Sequence, residues 1–178
     1  MLYDVTVDQI RSWPLVDGWY VAPSGERIDL GAGARIGERA SIDAGARIGE
    51  RARIGADAII GARASIGADA RIGTRAWIGA RAIIGERVNI DAGAQIGAGV
   101  TLNTSPPQSR RSDGYLFALY PHDGALRITA GCRDFTLDDA RAHWTRTRGG
   151  TPLGDESLAI IDHLTRMWDI RTTYRQEN

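Results

Sequence analysis

Aliphatic side chains fall on every sixth residue through the middle of this chain. They are Leu30, Ile36, Ile42, Ile48, Ile54, Ile60, Ile66, Ile72, Ile78, Ile84, Ile90, Ile96 and Leu102, without a slip. Each but the last is followed by Gly or Asp, and four residues after the aliphatic comes a small residue: Ala from Ala34 to Ala82, then Val88, Ala94 and Val100. An α-helix cannot use this period, because at about 100° per residue six residues do not complete a whole number of turns. A short strand plus a turn can. Three such units close a triangular coil, and successive coils stack at the strand spacing of about 4.8 Å. The aliphatic then points into the prism and the small residue sits near a corner. Gly, Asp, Asn or Arg occupies the turns, where unusual backbone angles arise and Gly adopts them at least cost.

The pattern of an aliphatic, Gly or Asp, two free positions, a small residue and one more resembles the hexapeptide-repeat superfamily. That resemblance covers residues 30–102. It implies a mainly β chain built on a left-handed parallel β-helix of about four coils and, as is usual there, a homotrimer packed along parallel prism axes.

Three hexads per coil assign the outward faces, because the residue before each aliphatic points away from the core. One face stacks Arg35, Arg53, Arg71 and Asn89; the second Ser41, Ile59, Trp77 and Gln95; the third Asp29, Arg47, Ser65, Ile83 and Thr101. Ile59, Trp77 and Ile83 are clustered apolar groups on an otherwise polar exterior, and such clusters mark contacts. They are expected either at a subunit interface or beneath this chain's own C-terminal segment. Arg35, Arg53 and Arg71 are three cations about one strand spacing apart, which repel one another and need counter-charge. Glu38, Glu50, Asp57 and Asp69 at the turns are one source of it. A phosphate, nucleotide or sulfate held between subunits is the other.

The best-known hexapeptide-repeat proteins are acyltransferases acting on sugars, amino acids and antibiotics, with acetyl-CoA or acyl carrier protein as donor and a His beside the coils as general base. Many carry a long loop interrupting the helix. Here the hexads hold neither: His122, His143 and His163 all follow the repeat. A second branch, the γ-type carbonic anhydrases, needs three His from the coils for zinc. No catalytic residue and no metal ligand therefore transfers from the resemblance, and no cofactor is expected. Cys132, beside Arg133, reads as a structural thiol in a strand-like stretch. Whether the chain is an enzyme is left open, leaning against; an acyl or acetyl transfer using His122 or His143 is the enzymatic alternative.

All 22 basic residues are Arg and they balance 22 acids. Residues 30–102 carry ten Arg against seven acids, too mild an excess for a non-specific nucleic-acid binder. There is no apolar run long enough to span a membrane, no secretory leader, and a single cysteine, so a cytoplasmic location is expected.

Residues 1–29 read as an N-terminal cap: a helix over about Val7–Trp13 with Thr6 or Asp4 as its cap, then a hairpin turning at Pro23–Gly25. Residues 103–114 read as a polar linker. Residues 115–178 read as a small α+β domain of ββαα order, with runs YLFALYP and ALRITAGC joined by a turn, a helix capped by Thr136, and a second helix over about Asp155–Arg171. It is similar to end domains on some phage and bacterial hexapeptide-repeat proteins of undefined role. Three functions fit. The first is a non-catalytic trimer holding a small anion or a partner protein, which in a phage would suit sequestering a host nucleotide signal or masking a host protein. The second is a structural spacer or assembly part, and the third is an acyltransferase with an atypical base.

Overall fold

The six-residue period becomes a stack of two-residue strands. In the computed structural model, which describes residues 7–176, a short helix α1 (Val7–Ser12) precedes an antiparallel meander of β1 (Leu15–Val16), β2 (Trp19–Val21) and β3 (Arg27–Leu30). The proposed caps Asp4 and Thr6 lie outside the described residues. The β2–β3 turn falls at Pro23–Gly25 as expected, closed by Gly25 N–H donating to the Ala22 carbonyl (2.8 Å). Strand β1 was not foreseen; with its two side chains exposed it has no apolar pattern to betray it.

Strands β4 (Arg35–Ile36) to β15 (Thr101–Leu102) follow at one per hexad and form a left-handed parallel β-helix. Pairing is between residues eighteen apart, as in Ile54↔Ile72↔Ile90, Ile60↔Ile78↔Ile96 and Ile66↔Ile84↔Leu102. Each rung bonds to the next through the backbone, for example Gly55 N–H to Ile72 O (2.7 Å) and Arg71 N–H to Val88 O (2.9 Å). The repeated aliphatics and the small residues at Ala34 through Val100 are buried, except that Ile36, on an end strand, is only half-buried. At the far end Ser105 Oγ accepts from the Asn89 amide (2.8 Å), satisfying one edge donor of the last coil.

Two turn positions divide the labour. The Gly that directly follows most of the aliphatics serves close approach: a Cβ at Gly55 would stand 2.4 Å from the Thr74 nitrogen in the coil above. The left-handed conformation belongs instead to the third residue after the aliphatic. Gly fills it at 33, 45, 93 and 99, but Arg39, Arg51, Asp57, Arg63, Asp69, Arg75, Arg81 and Arg87 also adopt it, at φ of 55° to 60°. A side chain there costs about 1–2 kcal/mol relative to the right-handed form.

A second unit begins at Pro106. Its antiparallel sheet runs β16 (Gln108–Arg110), β17 (Leu116–His122), β18 (Ala125–Ala130) and β19 (Arg133–Thr136), followed by α2 (Leu137–Arg148) and α3 (Pro152–Gln176). The expected hairpin is β17–β18, and both helices are present. Two outer strands flank the hairpin. One of them, β16, lies inside the stretch expected as a linker, and β19 ends the stretch that carries Cys132. Phe117, Leu119, Ile128, Ala140, Trp144, Ile161 and Leu164 form the core, with Thr136 Oγ capping α2 by accepting from Asp139 N–H (3.1 Å). Among the described residues no helix is long and apolar enough to cross a membrane.

Candidate anion-binding sites

Parallel pairing places the ladder arginines in register: Arg35↔Arg53, Arg53↔Arg71 and Arg71↔Asn89. Three of the turn acids, however, Glu50, Asp57 and Asp69, bond to other arginines. Arg39 reaches one coil up and donates to both oxygens of Asp57 (2.7 and 3.1 Å). Arg51 does the same to Asp69 (3.0 and 3.2 Å) and also contacts Glu50 (2.7 Å). These forks hold the Asp57 and Asp69 carboxyls below the usual range, chiefly through hydrogen bonding to Arg39 and Arg51 respectively. Eighteen-residue spacing thus builds alternating Arg–Asp–Arg columns at two corners: Arg39, Asp57, Arg75 and Arg51, Asp69, Arg87. Among the described residues no side chain hydrogen-bonds to the guanidinium groups of Arg35, Arg53 or Arg71, although Asp69 interacts with Arg53 through space. They flank a depression of about 180 Å³ shared with Gly33, Arg51 and Asp69. The third corner has no acid in its left-handed column, and its one turn acid, Asp43, lies in the first coil. Arg63 and Arg81 stack there beside Ala44, Ala62, Ala80 and Ala98, along a groove of about 500 Å³.

The apolar patch also lies where its spacing put it. Ile59 pairs with Trp77 on one face, and Ile83 follows on the next. Trp77 is 41% and Ile83 48% exposed, whereas Ile59 is half-buried.

In the second unit, Arg111 is buried rather than solvated in a linker. Its Nε and Nη2 donate to both oxygens of Asp113 (2.9 and 2.7 Å), its Nη1 donates to Ser157 Oγ (2.8 Å), and its plane lies about 5 Å from the Tyr115 and Trp144 rings. Paired and stacked in this way, a guanidinium tolerates burial. The same contact, with the Tyr115 backbone N–H, pushes the Asp113 carboxyl down to about 2. Above this pair opens a cleft of about 560 Å³ between Tyr115, Arg133, His143, Trp144, Arg148 and the start of α3. Arg133 Nη1 donates to His143 Nε2 (3.0 Å). Burial, then Arg133 and Arg146, hold His143 below the ordinary imidazole range. His122 stands 3.4 Å from Asp123 at the end of β17. Cys132 falls in the β18–β19 turn and is exposed, not in a strand, because the strand ends at Ala130.

The corner columns were missed in sequence although they follow from the same arithmetic that revealed the ladder. The cleft had no comparable signal, since its residues are scattered from Arg111 to Leu153.

Residues 33–68 match the family model for the bacterial transferase hexapeptide (six repeats), and residues 63–104 that for the hexapeptide repeat of succinyl-transferase. Among solved structures, serine acetyltransferase isoform 3 in complex with cysteine from Entamoeba histolytica is 22% identical. The match covers 48% of this chain and 36% of that one, with a TM-score of 0.36. The acetyltransferase domain of PglB from Neisseria gonorrhoeae FA1090 is 21% identical over 49% of this chain and 50% of that one, with a TM-score of 0.30. The chain therefore spans half or less of the length of these proteins. No curated protein sequence matches it.

Proposed function

We propose that this chain, a member of the hexapeptide-repeat, transferase-like superfamily through its coils, is a non-catalytic homotrimeric binding protein that holds a small, phosphate-bearing anion on the Arg35–Arg53–Arg71 ladder. One observation carries the reading: the nearest acid, Asp69, takes its hydrogen bonds from Arg51 and offsets only part of the charge at Arg53, so the three ladder arginines face outward in excess over their counter-charge. Stacked planar forks suit a polyphosphate, whose oxygens they can bind in bidentate fashion. The patch of Ile59, Trp77 and Ile83 supports association of copies, which would turn the open ladder into the wall of a cleft. The His-free coils favour binding over acyl transfer. A single free cysteine fits action in the cytoplasm.

The test is a titration of the full chain with inorganic pyrophosphate at low and high salt, alongside sedimentation equilibrium. Saturable binding that weakens with salt, falls about tenfold or more in Arg53→Gln, and accompanies a trimer supports the reading. A monomer, or affinity unchanged in Arg53→Gln, refutes it. So does acetyl-CoA-dependent turnover abolished by His122→Ala or His143→Ala, which would establish the acyltransferase instead.

A further inference from the structure

We propose that the second unit carries its own ligand site, in the cleft over Trp144, for a nucleoside monophosphate. Its phosphate would lie between Arg133 and Arg148 and its base against Tyr115. This site is separate in residues and in ligand from the ladder on the coils.

Charge comes first. The cleft is lined by Arg111, Arg133 and Arg148 and by no carboxylate group. Arg111 is paired with Asp113, leaving Arg133 and Arg148 in excess. Arg148 interacts with the Asp113 carboxylate only through space, without a hydrogen bond to a side chain among the described residues. Arg133 contacts only an imidazole, and by donating to Nε2 it favours the neutral ring. An imidazole so placed adds no charge and, with its proton on Nδ1, remains a hydrogen-bonding group.

The backbone points the same way. Thr151, Pro152 and Leu153 line the cleft at the N-terminus of α3, a 25-residue helix whose positive end favours an anion. The opposing carbonyls at the end of α2 are already occupied. Thr145 O accepts from Gly149 N–H (3.0 Å), and Arg148 O accepts from Thr151 N–H (3.1 Å) and Thr151 Oγ (2.7 Å).

Aromatic surface supplies the second half of the site. Tyr115 and Trp144 meet edge to face at 82°, centroids 6.1 Å apart, with the Arg111 guanidinium about 5 Å from both rings. Trp144 is 4% exposed and forms the floor of the cleft, so the ring surface left to a ligand is that of half-buried Tyr115. A volume of about 560 Å³ lies within the usual range for small-molecule and cofactor sites. Phosphate alone would leave the Tyr115 ring unused; a nucleoside alone would leave the arginines without a counter-ion.

The experiment is isothermal titration of the full chain with adenosine 5′-monophosphate, adenosine and inorganic phosphate. Every titration is made in an Arg53→Gln background, so that the ladder on the coils does not contribute, and the variants added to it are Arg148→Gln and Arg133→Gln/Arg148→Gln, with circular dichroism to confirm folding. The expected result is binding of the monophosphate in that background, about tenfold weaker once Arg148→Gln is added, with adenosine silent. Absence of monophosphate binding in that background, or affinity that survives the double substitution, overturns the site. Inorganic phosphate binding as tightly as the nucleotide overturns the role given to Tyr115. Because Arg148 is exposed, its single substitution reports even if the double variant fails to fold.

Discussion

Replacing Ile78 by Ala tests whether the coils are held by one continuous line of packed aliphatics. Ile78 is fully buried, and so are its partners above and below, Ile96 and Ile60. The substitution removes three carbons, worth about 2.4 kcal/mol at about 0.8 kcal/mol each. The backbone on both sides is fixed by rung hydrogen bonds, so little collapse can follow, and the residual cavity raises the total towards about 4 kcal/mol. Ile36→Ala removes the same atoms from a half-buried position on an end strand. Water can fill the space and only part of the transfer term is lost, so about 1 kcal/mol is expected. The assay is urea unfolding at fixed protein concentration, with amide hydrogen exchange followed by mass spectrometry to isolate the coil peptides from those of the second unit. Comparable losses for the two variants, or native-like exchange of the central coils in Ile78→Ala, would refute the reasoning.

Further predictions concern the turns and the buried pair. Arg63 is left-handed at φ 60° and has no side-chain partner among the described residues. Arg63→Gly should therefore raise the unfolding free energy by up to about 1 kcal/mol, and Arg63→Val should lower it, as read by the same denaturant curves. Gly55→Ala places a methyl group 2.4 Å from the Thr74 nitrogen, so its coil peptides should exchange faster than those of an Ala56→Ser control. The Asp113 carboxyl is depressed in the fold, from 3.8 to about 2, so its contribution is present above pH 3.8 and is lost as pH falls towards 2. Asp113→Asn should remove that acid-side slope, measured as the urea midpoint of tryptophan fluorescence between pH 5 and pH 2.

The coils were legible because a period of six leaves the chain one regular way to hide its aliphatics. Once the coil length is known, every outward neighbour follows, which is why the ladder and the Trp77 face could be read directly. What could not be read was the competition for counter-charge. Asp57 and Asp69 look equally available to ladder and corner arginines until the left-handed turn aims Arg39 and Arg51 along the prism axis. In the second unit, β16 (QSR) and β19 (RDFT) are short outer strands without apolar alternation, and only their pairing with β17 and β18 reveals them. Arg111 beside Arg110 in a Pro- and Ser-containing stretch looked solvated. Its burial depends on Ser157 and Trp144, far away in sequence. The cleft is tertiary in the same sense.

The exact three-hexad repeat also limits how such a chain can grow or shrink. Deleting one hexad from the middle preserves the inward aliphatics, so the prism still closes, yet every downstream side chain moves round to the adjoining wall. Trp77 would then stand above Arg53 instead of above Ile59. Only duplications or losses of eighteen residues extend or shorten the stack while keeping its decoration intact, which makes the length of this solenoid heritable in whole turns.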